Sequence, residues 1–378
     1  VTFALHIDST RWQQHIDSTI ARLCPLAAIV PVIKGNGYGI GQWRLGAQAA
    51  RTGADVVAVG TVWEAAEMLT ATDATVLVLE PWDSRDRLAH QAWVHLQPSR
   101  VIATIANPQS LMDLLDWQTG PVTVILEGRT AMARFGFTQS ELLSALAAPT
   151  VRAAVSQGRL TIAGLALHMP IVQPADEPAA RGASSPASAK VRQALAWIGV
   201  WAAESAALNL DPHVWVSHLD ASELAAVAGG AGAVHLHLRI GTELWLDRAA
   251  LRALGTVLAV HPLQGHKHVG YRQRSGPKDG TVVVVSGGTT HGIGLSAPSP
   301  AGNLRQRAVS AGTGVLDAGG RAMSPFTWAG KSRWFAEPPH AQVSMLWLPS
   351  GVPVPAIGDD LHAQVRFTTS RFDAIITH

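Results

Sequence analysis

Four residues of this chain combine reactive side chains with a suggestive address. Lys34 ends the apolar run "LAAIVPVI" and is followed by "GNGYGIG", four glycines and a tyrosine in seven residues. A lysine amine can attack an aldehyde or carry a proton. Glycines let a ligand's anionic group approach the backbone closely. His168 ends the apolar run in "GLALHM" but for one methionine, Ser222 follows "HLDA" and Arg239 sits in "LRIG". Taken singly, each has an ordinary reading: a solvated lysine, a hydrogen-bonded structural histidine, a surface arginine before a turn. What joins them is position, because each falls at or just beyond the end of an apolar run.

The elements that must position them repeat along the chain. From about residue 9 to 250, short apolar runs alternate with amphipathic stretches: "LAAIVPVIK", "ADVVAVG", "ATVLVLEP", "RVIATIA", "PVTVILEG", "LTIAGLALHMP", "HVWVSHLD" and "AVHLHLRIG" read as strands. Between them, "IGQWRLGAQAARTG", "TVWEAAEMLTAT", "TQSELLSALAA" and "AKVRQALAWIGVWAAESAAL" read as helices, and "NPQSLMDLLDW" opens on an Asn-Pro cap signal. Continuous apolar strands alternating with helices predict a parallel sheet covered on both faces. About eight such units predict a (β/α)8 TIM-type barrel over 9–250, with an open doubly wound sheet as the rival. After residue 250, "TVLAVHPL", "TVVVVSG", "QVSMLWLP" and "LHAQVRFTT" are strands without helices between them, predicting a C-terminal all-β domain over 251–378. "TFALHI", within residues 1–8, is placed to pair into it. "PADEPAARGASSPASA" (174–189) lacks periodicity and reads as a loop insertion. In a barrel of this kind the strand C-termini hold the active site, which is where the four residues fall.

Composition limits the partners. Of 378 residues 47% are apolar and 15% charged, with a net charge of +2, the mark of a well-buried globular protein. No Lys/Arg run exists, which argues against nucleic acid and anionic membrane as partners. No apolar run is long enough to span a bilayer, and "VTFALHIDST" does not read as a signal peptide. Only five lysines are present, so one at a strand end stands out. The single cysteine, Cys24, allows no internal disulfide, which suits a cytoplasmic location, and reads as a small buried residue of the first helix. No spacing of His, Cys, Asp or Glu predicts a metal site.

"PVIKGNGYGIG" resembles the signature of the alanine racemase family, whose strand-end lysine holds pyridoxal 5′-phosphate (PLP) as a Schiff base. The likeness runs over nearly the whole chain. "GTVWEAAEM" resembles the next strand–helix unit, "TAMARFGF" the Met-x-Arg-x-Gly turn (Arg134), and "GLALHM" the strand ending in histidine (His168). "HLDAS" resembles a His-x-x-Asn-Ser segment, with Ala221 for the asparagine and Ser222 for the serine. "LRIGTELWL" resembles the Arg-x-Gly segment (Arg239, Gly241, Thr242), "HVGYRQR" the segment with the catalytic tyrosine (Tyr271), and "SMLW" the later Met-Asp (Met345). The first motif is specific, and the rest persuade by order and spacing. Only two tyrosines exist, Tyr38 and Tyr271, and both fall where the family has one.

The resemblance implies a PLP-dependent racemase acting on alanine or another small amino acid. Lys34 and Tyr271 would be the two bases on opposite faces of Cα, with Arg134, His168, Arg239 and Met345 in support. Tyr38, Ser222, Gly241 and Thr242 would hold the phosphate, and Arg239 would face the pyridine nitrogen. His168 and Arg239 would lower the Tyr271 pKa from the ordinary value of about 10. Tyr271 would reach the opposite subunit's site, implying a homodimer, and the family's usual role is D-alanine supply for a bacterial cell wall. A decarboxylase of the same barrel class and a PLP-binding protein without turnover are the alternatives.

Several positions depart from the family pattern. Glu127 and Arg129 stand in "ILEGRT", where the family has a carbamylated lysine; Glu127 is an anion able to orient Arg134. Leu346 replaces the aspartate after the methionine, altering a substrate-side wall. "GGTTHGIG" (287–294) lacks the gate tyrosine, and its His291 reads as a solvated loop residue. Phe372 is placed where the family has a further phosphate-contacting tyrosine. "DAGGRAMSPFTWAGKSRWFAEPPHA" (the 318–342 insertion) is longer than its counterpart and without a readable role.

Overall fold

The computed structural model describes residues 2–118, 120–171, 188–265, 268–271, 273–275, 279–295 and 322–378. The chain divides into two compact units. One comprises residues 15–37 and 41–245, and the other residues 1–14, 38–40 and 246–378.

The first unit is the barrel. Its strands are β2 (Ala28–Pro31), β3 (Val56–Val59), β4 (Thr75–Pro81), β5 (Val101–Ile105), β6 (Val122–Gly128), β7 (Leu160–His168), β8 (His213–Ser217) and β9 (His235–Ile240), following β1 (Phe3–Ile7) of the other unit. They pair in the order β2-β9-β8-β7-β6-β5-β4-β3, all parallel. A bridge between Val32 and Ala58 brings the two ends together, so the barrel is nearly closed. Helices α1 (Ser9–Leu23), α2 (Gln42–Arg51), α3 (Val62–Ala71), α4 (Arg87–Val94), α5 (Pro108–Trp117), α6 (Gln139–Ala147), α7 (Pro149–Ser156), α8 (Ala189–Ala207), α9 (Ala221–Gly230) and α10 (Thr242–Trp245) connect or flank them. The Asn-Pro signal is real: Asn107 Oδ1 accepts the Ser110 N–H at 2.9 Å, satisfying a donor that the start of α5 leaves open. Most of the insertion at 174–189 lies outside the described residues.

The barrel interior holds one apolar layer: Val30, Val32, Ala58, Leu77, Ile102, Ile125, Ala166 and Trp215. Each Val, Leu or Ile side chain of the layer withdrawn from water contributes on the order of 1.5–3 kcal/mol. Because strand side chains alternate with period 2, this layer also fixes which later residues face inward.

In the second unit, β10 (Leu251–Gln264), β13 (Asp279–Ser286), β14 (Met323–Trp328), β15 (Lys331–Phe335), β16 (Val343–Pro349) and β17 (Asp360–Ala363) pair antiparallel. Their order β13-β16-β15-β14-β17-β10, with a further β10–β13 pairing, closes the sheet on itself. A short hairpin of β11 (His268–Val269) and β12 (Arg274–Ser275) stands apart. β1 pairs antiparallel with β10 and parallel with β18 (Ala374–Thr377). The segment 318–342, unreadable in the sequence, supplies the β14/β15 hairpin; its first residues lie outside the described set.

Three expectations are corrected here. Leu346 lines no wall: it is fully buried with Val283, Phe335 and Leu348 in the β-unit core, while its neighbour Met345 faces the other way. An aspartate there would be an unpaired buried charge, so leucine fits this sheet. His291 is not solvated but 5% exposed. Its Nδ1 accepts the Gly288 N–H at 3.1 Å and its Nε2–H donates to Asp373 at 3.1 Å. Asp373 also accepts the Phe3 N–H at 2.8 Å, tying the N-terminal strand to the C-terminal segment. Cys24 is exposed, one residue past α1.

Candidate active site

The inner layer of the barrel predicts its crown. Two residues beyond Val32, Ile125, Ala166 and Trp215 stand Lys34, Glu127, His168 and Ser217. Trp215 stacks on His237 at 4.2 Å, which puts Arg239, two residues further along β9, on the same inner face. Two residues beyond Ala58 comes Gly60, where a Cβ would sit 3.2 Å from the Lys34 Cβ; the missing side chain leaves room for the lysine.

Lys34 is open to solvent, yet protein on several sides disfavours its charge. Burial, then the positive charges of Arg134 and Arg239, push its amine below the usual lysine range, with Glu64 opposing. Sequence reasoning passed over Glu64. Its carboxylate accepts the Gly35 N–H at 3.0 Å and the Gly60 N–H at 2.7 Å, clamping the backbone on both sides of the lysine. The Thr61-x-x-Glu64 spacing at the start of α3 was the available signal.

After Lys34 the chain turns through left-handed backbone. Gly37 has φ +60, and a Cβ there would lie 2.5 Å from the Gln42 nitrogen. Tyr38 is buried with φ 55, a conformation uncommon for a residue with a side chain. Gly39 has φ +79 and packs on Phe372, whose Cε2 would be 3.0 Å from an added Cβ. Phe372 therefore lies against the glycine loop.

Arg239 is 5% exposed, and its Nε and Nη2 have no hydrogen-bond partner among the described residues. Burial lowers its guanidinium to about 10, with Glu127 raising and Arg134 lowering it, so it stays charged at neutral pH. Glu127 is 3% exposed; burial raises its carboxyl, and Arg239 and then Arg134 restrain the rise. Arg239 rather than Arg134 is thus the main counter-charge of Glu127. Arg134 lies on an exposed turn, its guanidinium 5.1 Å from the Phe135 ring centre. The turn borders a cleft lined by Glu80, Asp83, Arg85 and Asn107, which Lys34 does not line.

His168 Nδ1 lies 2.9 Å from the Ser217 hydroxyl, and its ring meets His218 edge-on at 4.9 Å. Burial, then Arg239, Arg134, His218 and Lys34, push His168 down to about 3. It is a neutral imidazole at pH 7, which corrects the expectation that it lends positive charge to a phenol. His218 takes a left-handed backbone, φ 58, that no sequence signal announced. Its carbonyl accepts Lys190 Nζ at 3.0 Å, and Lys190 pairs with Glu223 at 2.6 Å in a largely buried bridge. That bridge pins the start of α9.

Ser222 is exposed at that start. Both its N–H (2.8 Å) and its hydroxyl (2.6 Å) donate to Asp220. The Asp220 carboxylate already caps the helix, so an anion here competes with it. Gly241 and Thr242 open α10, and the Gly241 carbonyl accepts the Leu244 and Trp245 N–H groups at 3.0 and 2.9 Å. Tyr271 and Met345 belong to the β unit: Tyr271 is 86% exposed, and Met345 accepts the Ala336 N–H at 2.7 Å.

The crown fits PLP on two observations. A buried guanidinium with orphaned donors suits a ring nitrogen, and a lysine of depressed pKa suits an aldehyde. Among the described residues no group of three or more His, Cys, Asp or Glu is arranged to hold a metal ion, and no helix is long and apolar enough to cross a membrane.

Comparison with known proteins shows the family and the fold. Residues 7–221, more than half of the chain, match the family described as alanine racemase, N-terminal domain. The alanine racemase of Nitratidesulfovibrio vulgaris is 27% identical over 291 residues, covering 71% of this chain and 70% of that protein. The crystal structure of alanine racemase from E. faecalis is 18% identical, with a TM-score of 0.64 over 100% of this chain and 98% of that one. Alanine racemase from Bartonella henselae with covalently bound pyridoxal phosphate is 14% identical, with a TM-score of 0.68 over 100% of both chains. At these identities the two structures speak for the fold: a nearly closed parallel barrel with a separate, largely antiparallel β domain. The chain belongs to the alanine racemase family.

Proposed function

We propose that this protein is a PLP-dependent amino-acid racemase acting on alanine or a similarly small amino acid. The observation that carries the reading is the inner crown: Lys34 and a buried Arg239 with orphaned donors on the same barrel mouth. Bound PLP would withdraw electrons from the substrate's Cα and so acidify its hydrogen.

The chain's own residues do the rest. Lys34 holds the cofactor through its amine and moves a proton at one face of Cα. Its lowered pKa leaves more of the amine neutral, hence nucleophilic, at working pH. Arg239 orients the ring from the nitrogen side. A fixed cation there disfavours a proton on that nitrogen, which limits electron withdrawal to what proton exchange needs and disfavours decarboxylation. Glu127 keeps that buried cation compensated. Tyr38, the Gly241 and Thr242 N–H groups and the Ser222 hydroxyl hold the phosphate, with Ser222 turning away from Asp220 to do so.

Inversion needs a second acid/base group on the opposite face. Tyr271 fills that role, its exposed phenol presented to the site of a second copy, so the working unit is a homodimer with shared sites. Arg134, His168 and Met345 support substrate and cofactor. We place the enzyme in the cytoplasm, supplying a D-amino acid as a cell-wall precursor. Tyr271→Phe tests the assignment: inversion is lost while PLP stays bound and deuterium still exchanges into the D enantiomer without inversion. Unchanged turnover in that variant refutes Tyr271 as the second base.

A further inference from the structure

The segment before Tyr271 sits on a buried carboxylate. Gly270 has φ +74, and a Cβ there would lie 2.1 Å from the carboxyl carbon of Glu337, so only glycine fits. Glu337 is 3% exposed, and a carboxyl so buried needs a hydrogen-bonding partner. It finds one in His340, whose Nε2–H donates to Glu337 Oε1. The His340 ring in turn packs against the Tyr271 ring, centroids 4.7 Å apart. Both members of the pair are anchored. The Ala336 N–H donates to Met345 O at 2.7 Å, the His340 N–H donates to Val343 O at 2.9 Å, and the His340 carbonyl accepts the Thr289 N–H at 2.8 Å.

We propose that His340, held by buried Glu337, is the positioning residue for Tyr271. The inference rests on the reading of Tyr271 as the second acid/base group. A phenol as exposed as this one rotates freely unless something holds it. A proton-transfer group must stand within hydrogen-bond reach of its target, and an error of about 1 Å can cost roughly a hundredfold in rate. Glu337 fixes one tautomer and one orientation of the imidazole, and the imidazole, tilted 41° to the phenol, packs against it.

The chain has only two tyrosines, so protein labelled with 3-fluorotyrosine gives two fluorine resonances, assigned by Tyr271→Phe. His340→Ala should shift the Tyr271 resonance and leave that of Tyr38 in place; Glu337→Gln should shift the same resonance less. In the PLP-loaded enzyme, His340→Ala should lower kcat for inversion about ten- to a hundredfold. KM and deuterium exchange into the D enantiomer should stay within about twofold, with partial recovery in His340→Gln. An unmoved Tyr271 resonance overturns the proposal. So does a parallel loss of inversion and of D-enantiomer exchange, which marks a general structural role. Full turnover in Tyr271→Phe overturns the base assignment, and the positioning role with it, even where the resonance moves.

Discussion

Arg239→Met separates a cofactor ligand from a structural cation. Arg239 is 5% exposed and leaves two donors, Nε and Nη2, without partners among the described residues. Each orphaned buried donor costs on the order of 1–3 kcal/mol, so in the unloaded protein the guanidinium is not a stabilising group in its own right. Methionine has similar length and no donors. Its introduction removes those costs and strands the Glu127 charge, which Arg134 still opposes and which protonation can neutralise. These terms oppose one another, so the melting temperature of the unloaded protein should move by only a few degrees. Bound PLP changes the sum. A hydrogen bond from a charged donor to the ring nitrogen contributes about 1.5–3 kcal/mol, and each 1.4 kcal/mol is tenfold in affinity. Arg239→Met should therefore weaken PLP binding about 10- to 100-fold in a spectrophotometric titration. Affinity within about threefold of wild type would refute the pairing with the ring. A fall in melting temperature of more than about 10 °C in unloaded protein would show that Arg239 is a structural cation instead.

Acid should unfold this protein early. Burial lowers His168 to about 3 and His237 to about 4, and it also lowers His213 and His218. The unfolded chain binds these protons near pH 6.5 while the folded chain refuses them, so stability present above about pH 6.5 is lost as pH falls toward 4. Melting temperatures across that range should fall steadily; a flat profile down to pH 4.5 would contradict the buried neutral histidines. Gly37→Ala should cost at least twice as much stability as Gly53→Ala. Both have positive φ (+60 and +71), but a Cβ at Gly37 meets the Gln42 backbone at 2.5 Å and one at Gly53 meets nothing. The Gly53 change should cost about 1 kcal/mol, and equal melting temperatures for the two variants would sink the argument.

The barrel was legible because its strands are continuous apolar runs, and the crown because period 2 carries the inner layer through to Lys34, His168 and Arg239. Where burial leaves no stripe, the sequence was mute. α4 buries none of its residues although its sequence is amphipathic, and it went unread between β4 and β5. α7 follows α6 with only Ala148 between; the helix read in "TQSELLSALAA" covers α6 alone, and α7 went unread. The β14/β15 hairpin turns through Ala329 and Gly330, both at positive φ, and alanine hides a turn that asparagine would have announced. At the site, Glu64 acts through backbone N–H groups that lie far apart in sequence, and His218 is placed by a left-handed backbone. Leu346 was misread because strand alternation, rather than motif adjacency, decides which face a residue joins.

The central claim is tested most directly by incubating the PLP-loaded protein with single L-amino acids and separating the enantiomers by chiral chromatography. The account predicts that alanine or another small amino acid reaches an equal mixture of L and D. It also predicts that Lys34→Ala abolishes both this conversion and the borohydride-fixed cofactor label on residue 34. Protein that binds PLP at Lys34 yet forms no D enantiomer from any amino acid in the panel would contradict it.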